Sequence, residues 1–312
     1  MNNFITTDIG SMEYDKDFWN YMRGQKHVED RLAAGKNRNN GTYRLPLTSN
    51  KAFLKALSEK SIFRKLGKVV KTNEPDGKIF VSDAEEMAQW VASNGVENIY
   101  EMVDEFRKIP TVCNKVAITI RTDLDFLKDN GFSMEQHTLP ILTKSFARAE
   151  ENAFINGTGV NMPKGILHET DGAEVGVTAE GTSDITFDEV IKLFTSVKPE
   201  YRANGVWLMN DETALKLRML KDDNGNYIWN HSNDTILGKP VQISEFMPVC
   251  KSGAKTIAFG DFSYYWVLER MPMTIRPLVE KYALHNQIGH LAFEYLDGVL
   301  IRPEAVKVIQ MA

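Results

Sequence analysis

Cysteine is scarce in this 312-residue chain: Cys113 and Cys250 are its only two. They cannot form a disulfide framework and suit a reducing compartment, each as a small packed side chain. Long apolar runs are missing as well. No segment approaches the roughly 18 consecutive apolar residues that a membrane helix needs. The opening Met1-Asn2-Asn3-Phe4-Ile5-Thr6-Thr7-Asp8 has no basic stretch leading into an apolar one, which argues against a signal peptide. A soluble cytoplasmic product with no membrane partner is expected. A basic excess is also lacking. The formal net charge of −5 leaves no global field for polyphosphate, so any nucleic-acid contact rests on local Lys and Arg. No internal repeat or low-complexity tract is seen. What is present is ordinary: 43% hydrophobic and 25% charged residues, enough for one large domain or two modest ones.

Patterns that carry chemistry are equally thin. Gly157-Thr158-Gly159 with Gly165 resembles a phosphate cradle, but it follows a helix where the dinucleotide motif follows a strand, and no Gly-Lys-Ser/Thr accompanies it. A plain turn is expected. Asp222, Asn224 and Asn226 match the start of a calcium loop, but Tyr227 stands where Gly is required and Asn233 where a bidentate Glu is required. His27, His137, His168, His231, His285 and His290 show no zinc spacing. No Gly-x-Ser-x-Gly elbow is present. Nothing near either cysteine would lower a thiol pKa. Glu85, Glu86, Glu150 and Glu151 read as solvated faces. No catalytic, cofactor-binding or metal-binding residue is assigned, and no enzyme is expected.

The organisation is α+β. Tyr14, Phe18, Tyr21 and Met22 recur at helical spacing and Gly24 closes the helix. Residues 33–41 are small or polar, and composition leaves an extended arm and a frayed terminus equally open. Ser49 is read as the N-cap of a helix bearing Phe53, Leu54 and Leu57. Residues 72–111 have thin apolar content, strand-like pieces at Ile79-Phe80-Val81 and Trp90-Val91, and an acidic middle of Glu97, Glu101, Asp104 and Glu105. A projecting two-stranded excursion fits them better than a core segment. The alternating run Val116-Ala117-Ile118-Thr119-Ile120-Arg121 returns the chain to a sheet.

Ser133-Met134-Glu135-Gln136 predicts the cap of a long helix over residues 133–155, with Leu139, Leu142, Phe146, Ala149 and Ala153 on one face. It would span about 34 Å, with a bend or a later start at Pro140. Thr186-Phe187-Asp188-Glu189 opens another helix, with Val190, Leu193, Phe194 and Val197 on one side, expected to stop at Asn204-Gly205. Val206 to Met209 reads as a strand, Asn210 caps a helix carrying Leu215 and Met219, and Asn224-Gly225 is a hairpin signal. Strands follow at Val241 to Ile243, Ile257 to Phe259 and Tyr264 to Val267. The last alternating stretch, Leu291, Phe293 and Tyr295, is expected to turn at Asp297-Gly298 before Val306 and Val308.

Ordered stretches of this chain resemble the tailed-bacteriophage major capsid family with the Hong Kong 97-type shell fold. They are Ala149 to Gly159 with Met162-Pro163-Lys164-Gly165-Ile166-Leu167; Trp207-Leu208-Met209-Asn210 with Leu220 to Trp229; Leu237-Gly238-Lys239-Pro240-Val241 followed by Ala258 to Ser263; and the Asp297-Gly298 turn, where members more often carry Arg in place of Leu296. The resemblance runs from about Asn50 to the C-terminus. It implies an N-terminal arm (1–50), an extended loop (72–112), a peripheral domain (51–71, 113–204 and 280–312) holding the spine helix, and an axial domain (205–279). It also implies pentamers and hexamers of an icosahedral head around double-stranded DNA. The implied partners are a scaffolding protein or maturation protease, a portal and decoration proteins, with assembly in the host bacterial cytoplasm. Many relatives begin with a scaffolding segment that this sequence lacks, so either a processed product or a separate scaffold is expected. In some relatives a loop lysine forms an isopeptide bond with a neighbour. Residues 79–107 contain no lysine, and Arg cannot substitute because its guanidinium stays protonated. Exposed Phe18, Trp19 and Trp90 are expected to drive assembly. The alternatives are an encapsulin-type nanocompartment shell and a soluble hydrolase.

Overall fold

The computed structural model describes residues 8–37, 41–72, 76–82, 106–129, 131–221, 227, 229 and 234–312. Trp90-Val91, the acidic residues 97–105 and Asn224-Gly225 lie outside them, as do Asp222 and Asn226.

In chain order, α1 (Met12–Met22) starts at Ser11, whose hydroxyl accepts from the Tyr14 amide. It ends ahead of Gly24, whose φ of +93° few other residues adopt. A 3-10 stretch (Lys26–Gly35) leads to β1 (Lys36–Asn37) and β2 (Thr42–Arg44). Phe18 and Trp19 are not exposed. Phe18 is fully buried and Trp19 only 9% accessible, packed with Tyr14, Met22 and Leu32 against Tyr43, Phe53 and Phe146. Spacing shows that these residues share a helix face, but not that the rest of the chain covers it. The expectation that they drive assembly is therefore corrected.

Next come α2 (Leu47–Lys60), α3 (Ile62–Leu66) and β3 (Lys68–Lys71). Pro46, not Ser49, occupies the cap position of α2. Proline's fixed φ suits a helix entry, and Ser49 lies a turn inside, donating to Glu135 Oε1 at 2.6 Å. β4 (Asp76–Ser82) and β5 (Phe106–Val112) form their own two-stranded sheet, then β6 (Asn114–Asp123) and α4 (Leu124–Lys128) follow. α5 (Met134–Asn156) is the long helix, capped by Ser133 and uninterrupted at Pro140. Leu142 and Phe146 are buried as expected, but Ala149 is exposed and the buried face continues through Ala147, Glu150 and Phe154.

Glu150 is not solvated. It is 1% exposed, and Arg64 from α3 grips both its oxygens, Nε to Oε2 at 2.7 Å and Nη2 to Oε1 at 2.6 Å, while Arg64 Nη1 meets Glu269. Buried charges persist only when paired in this way. Glu151 is half-buried and accepts from the Ser244 hydroxyl at 2.6 Å.

The remaining elements are β7 (Glu174–Thr178), α6 (Phe187–Ser196), α7 (Pro199–Arg202), β8 (Val206–Met209), α8 (Asp211–Arg218), β9 (Thr235–Ile236), β10 (Lys239–Ile243), β11 (Lys255–Gly260), β12 (Tyr265–Leu278), β13 (Gln287–Leu300) and β14 (Val306–Gln310). The Thr186 capping box of α6 is formed in full. That helix stops at Ser196 and not at Asn204, because Pro199 holds Lys198 extended (ψ 145°) and restarts the chain as α7. Asp297-Gly298 is no turn. Both residues lie inside β13, opposite Leu268 and Val267 of β12. Gly298 is required because a Cβ there would meet the Tyr265 hydroxyl and come within 2.9 Å of the Phe154 ring.

The first sheet runs β1-β2-β12-β13-β6, with β3 also on β12. α1, α2 and α5 cover it through the core of Phe53, Leu142, Phe146, Ile275 and Ala292. The second sheet runs β7-β14-β11-β8-β10-β9. Trp207, Phe259, Val190, Leu193 and Ala214 pack it against α6 and α8. A further core of Phe63, Phe154, Tyr265 and Val308 joins the two. Residues 265–278 thus belong to the first sheet, whereas 174–178 and 306–310 belong to the second.

Candidate assembly surface

The β4–β5 hairpin pairs in register from Asp76↔Val112 to Ser82↔Phe106. Strand alternation gives it two faces. Ile79, Val81 and Ile109 turn inward onto Leu268, Val299 and Ile301. Phe80, Phe106 and Val112 are each more than half exposed. Phe80 and Phe106 stand diagonally on one face, since Phe80 pairs with Lys108 and Phe106 with Ser82. Phe80, Phe106 and Val112 thus make the outward face of the ribbon apolar and accessible.

Polar contacts seat the hairpin on its own body. Asp297 accepts from the amides of Val112 at 2.9 Å and Gly298 at 2.8 Å. Arg107 Nη2 donates to the Ile301 carbonyl at 2.6 Å, and Arg302 Nη2 to the Ser82 carbonyl at 2.7 Å. Burial pushes the Asp297 carboxyl up to about 6, partly offset by the two amides and by Lys164. Beside this seat lies a cavity of about 340 Å³ reached by Arg107, Pro110, Met162, Lys164 and Asp297. The alternation of Ile79-Phe80-Val81 carried the signal for an outward Phe80; nothing local marked Arg107, Asp297 or Arg302 as its anchors.

Other apolar groups are exposed at the edges of the molecule. Leu284, in the turn between β12 and β13, is fully accessible, and Val160 is 69% accessible. Leu215 and Met219 face solvent from α8 and its end; the spacing had put them on a helix, and the structure buries Thr213, Ala214 and Leu217 instead.

The residues weighed for chemistry are dispersed. Gly157 to Gly165 form a turn closed by the Thr158↔Lys164 bridge, with Gly159 at φ +75°. Cys113 and Cys250 are half-buried and separate, Cys250 beside the Thr213 hydroxyl at 3.5 Å. His290 is buried with Nε2 2.8 Å from the Met22 carbonyl, and burial holds it below the ordinary histidine range. Among the described residues no three His, Cys, Asp or Glu side chains converge in a metal-holding group, and no helix is long and apolar enough to cross a membrane.

This architecture is that of shell-forming subunits with the Hong Kong 97-type fold. The capsid of an empty GTA particle matches with TM-score 0.72 and 26% identity, covering 81% of this chain and 90% of that one. The capsid of a native GTA particle matches with TM-score 0.69 and 25% identity over 90% and 97%. A Microbacterium phage Oxtober96 structure shares the fold at 16% identity, with TM-score 0.60 over 81% and 91%. No curated protein sequence matches. The phage capsid family model matches residues 41–311, and the chain belongs to that family. It is a structural protein, a major capsid protein, and its place is the virion shell.

Proposed function

We propose that the chain assembles into pentamers and hexamers of an icosahedral head that encloses double-stranded DNA. The outward face of the hairpin, with Phe80 and Phe106 in water, carries this reading, because a monomer gains nothing from such a surface and a neighbouring copy would cover it. Closed rings require a heterologous contact that returns on itself, and a ribbon reaching onto the adjacent subunit supplies one side of such a contact. Strands β8 to β11 and α8, within the expected axial domain of 205–279, sit at the five- and six-fold axes, with exposed Leu215 and Met219 available for ring contacts. The first sheet, with β1 and β2 at its edge, forms the peripheral body together with α1 and α5.

Contact with packaged DNA is weak and salt-sensitive, since the net charge is −5. Assembly takes place in the host bacterial cytoplasm, with a scaffold or maturation protease and a portal as partners, and with decoration proteins added to the shell. Negative-stain microscopy and sedimentation of the purified protein, alone and with its neighbouring gene products, test the reading. Rings or closed particles are expected; monomer alone under every concentration, salt and scaffold condition would overturn it.

A further inference from the structure

Glu294 lies in β13 and is 5% exposed. The charged groups facing it are Glu150 from α5, Arg64 from α3 and Glu269 from β12. β6 places Val116 opposite it in the register, and Tyr265, further along β12, feels the charges of Glu150 and Asp297. Arg64 spends three of its N–H donors on the other two carboxylates, bidentate on Glu150 and in contact with Glu269. Glu294 Oε1 is buried without a hydrogen-bond partner, and the neighbouring Glu150 carboxyl strengthens its hold on a proton.

Ionised carboxylates only accept, so a hydrogen bond from Glu294 to Glu150 requires that one of them carries a proton. The charge count agrees. Three ionised carboxylates and one guanidinium would leave two uncompensated negative charges in a site largely shielded from water, which is costly at low dielectric. Burial, and then the negative charge of Glu150, push the Glu294 carboxyl well above the ordinary range.

We propose that Glu294 is a proton-binding site, filled when the chain folds, whose proton joins β13 to Glu150 and so seats the long helix α5 on the first sheet. The proton is taken from solvent and held between two carboxyl groups; no other bond changes. This inference concerns the folded subunit and stands whether or not the shell reading holds. The unfolded chain loses the proton above its ordinary value of 4.5, whereas the folded chain keeps it. The stabilisation is therefore complete below that value and is lost as pH rises toward the higher folded value.

Glu294→Gln replaces the protonated acid with a neutral isostere that still donates to Glu150. Melting temperatures of wild type and E294Q are compared between about pH 5 and pH 9. The gap is expected to widen in favour of E294Q as pH rises. Parallel profiles, or a variant less stable at every pH, would overturn the proposal. Should E294Q fail to fold, infrared spectra of the wild type decide, recorded at mildly alkaline pH where Asp297 is ionised. A protonated-carboxyl band supports the proposal, and its absence refutes it.

Discussion

Replacing residues 79–108 with a short Gly-Ser turn separates folding from assembly. The change removes buried Val81 and half-buried Ile79 from the contact with Leu268, Val299 and Ile301, and leaves Ile109 without its strand partner. At about 1.5–3 kcal/mol for a fully buried aliphatic side chain and about half that for Ile79, the gross loss is about 2 to 4.5 kcal/mol. The Arg107 to Ile301 and Arg302 to Ser82 hydrogen bonds add roughly 1 kcal/mol each. Against this stands the ordering of the paired strands, which costs about 1–2 kcal/mol per residue and no longer has to be met. Loop-closure entropy changes little with length. The three main cores around Phe146, Tyr265 and Trp207 are untouched, and Val112 can still reach Asp297. The expected variant is soluble, with near-native circular dichroism and one cooperative melt, and forms no closed particle by negative stain. Loss of cooperative unfolding would show that the hairpin is core. Particles at wild-type yield would show that it is not an assembly element.

Arg64→Met leaves buried Glu150 and partly buried Glu269 without their cation, and should cost about 3–5 kcal/mol by denaturant unfolding; a change under about 1 kcal/mol would mean that water screens the cluster. Gly298→Ala forces a methyl into the Tyr265 and Phe154 contact and should cost about 1–3 kcal/mol with β13 otherwise intact; an unchanged melting temperature would refute that packing. Boiled, reduced particles should run as one band of 35.4 kDa, because residues 79–107 hold no lysine to form an isopeptide bond; a ladder of multimers would count against this.

The sequence by itself determined what local chemistry can write. The Thr186 capping box, the Ser133 cap, the Asn210 cap and the alternation at Val116 to Arg121 each appear where the pattern put them, because caps and strand periods are satisfied by residues a few positions apart. The shell fold was legible through the ordered resemblance from the end of α5 onward, and the hairpin through its thin apolar content. Only the tertiary structure decided which helix faces are covered and by what. Phe18 and Trp19 are interior because β2, α2 and α5 close over α1. Glu150 reads as a surface charge until Arg64, 86 positions away, is brought to it. Asp297-Gly298 has the composition of a turn, yet it lies mid-strand because Tyr265 and Phe154 leave room for no side chain and the hairpin's last amide needs an acceptor. Burial and pairing over such separations are properties of the packed chain, so a reading of neighbours along the sequence cannot contain them.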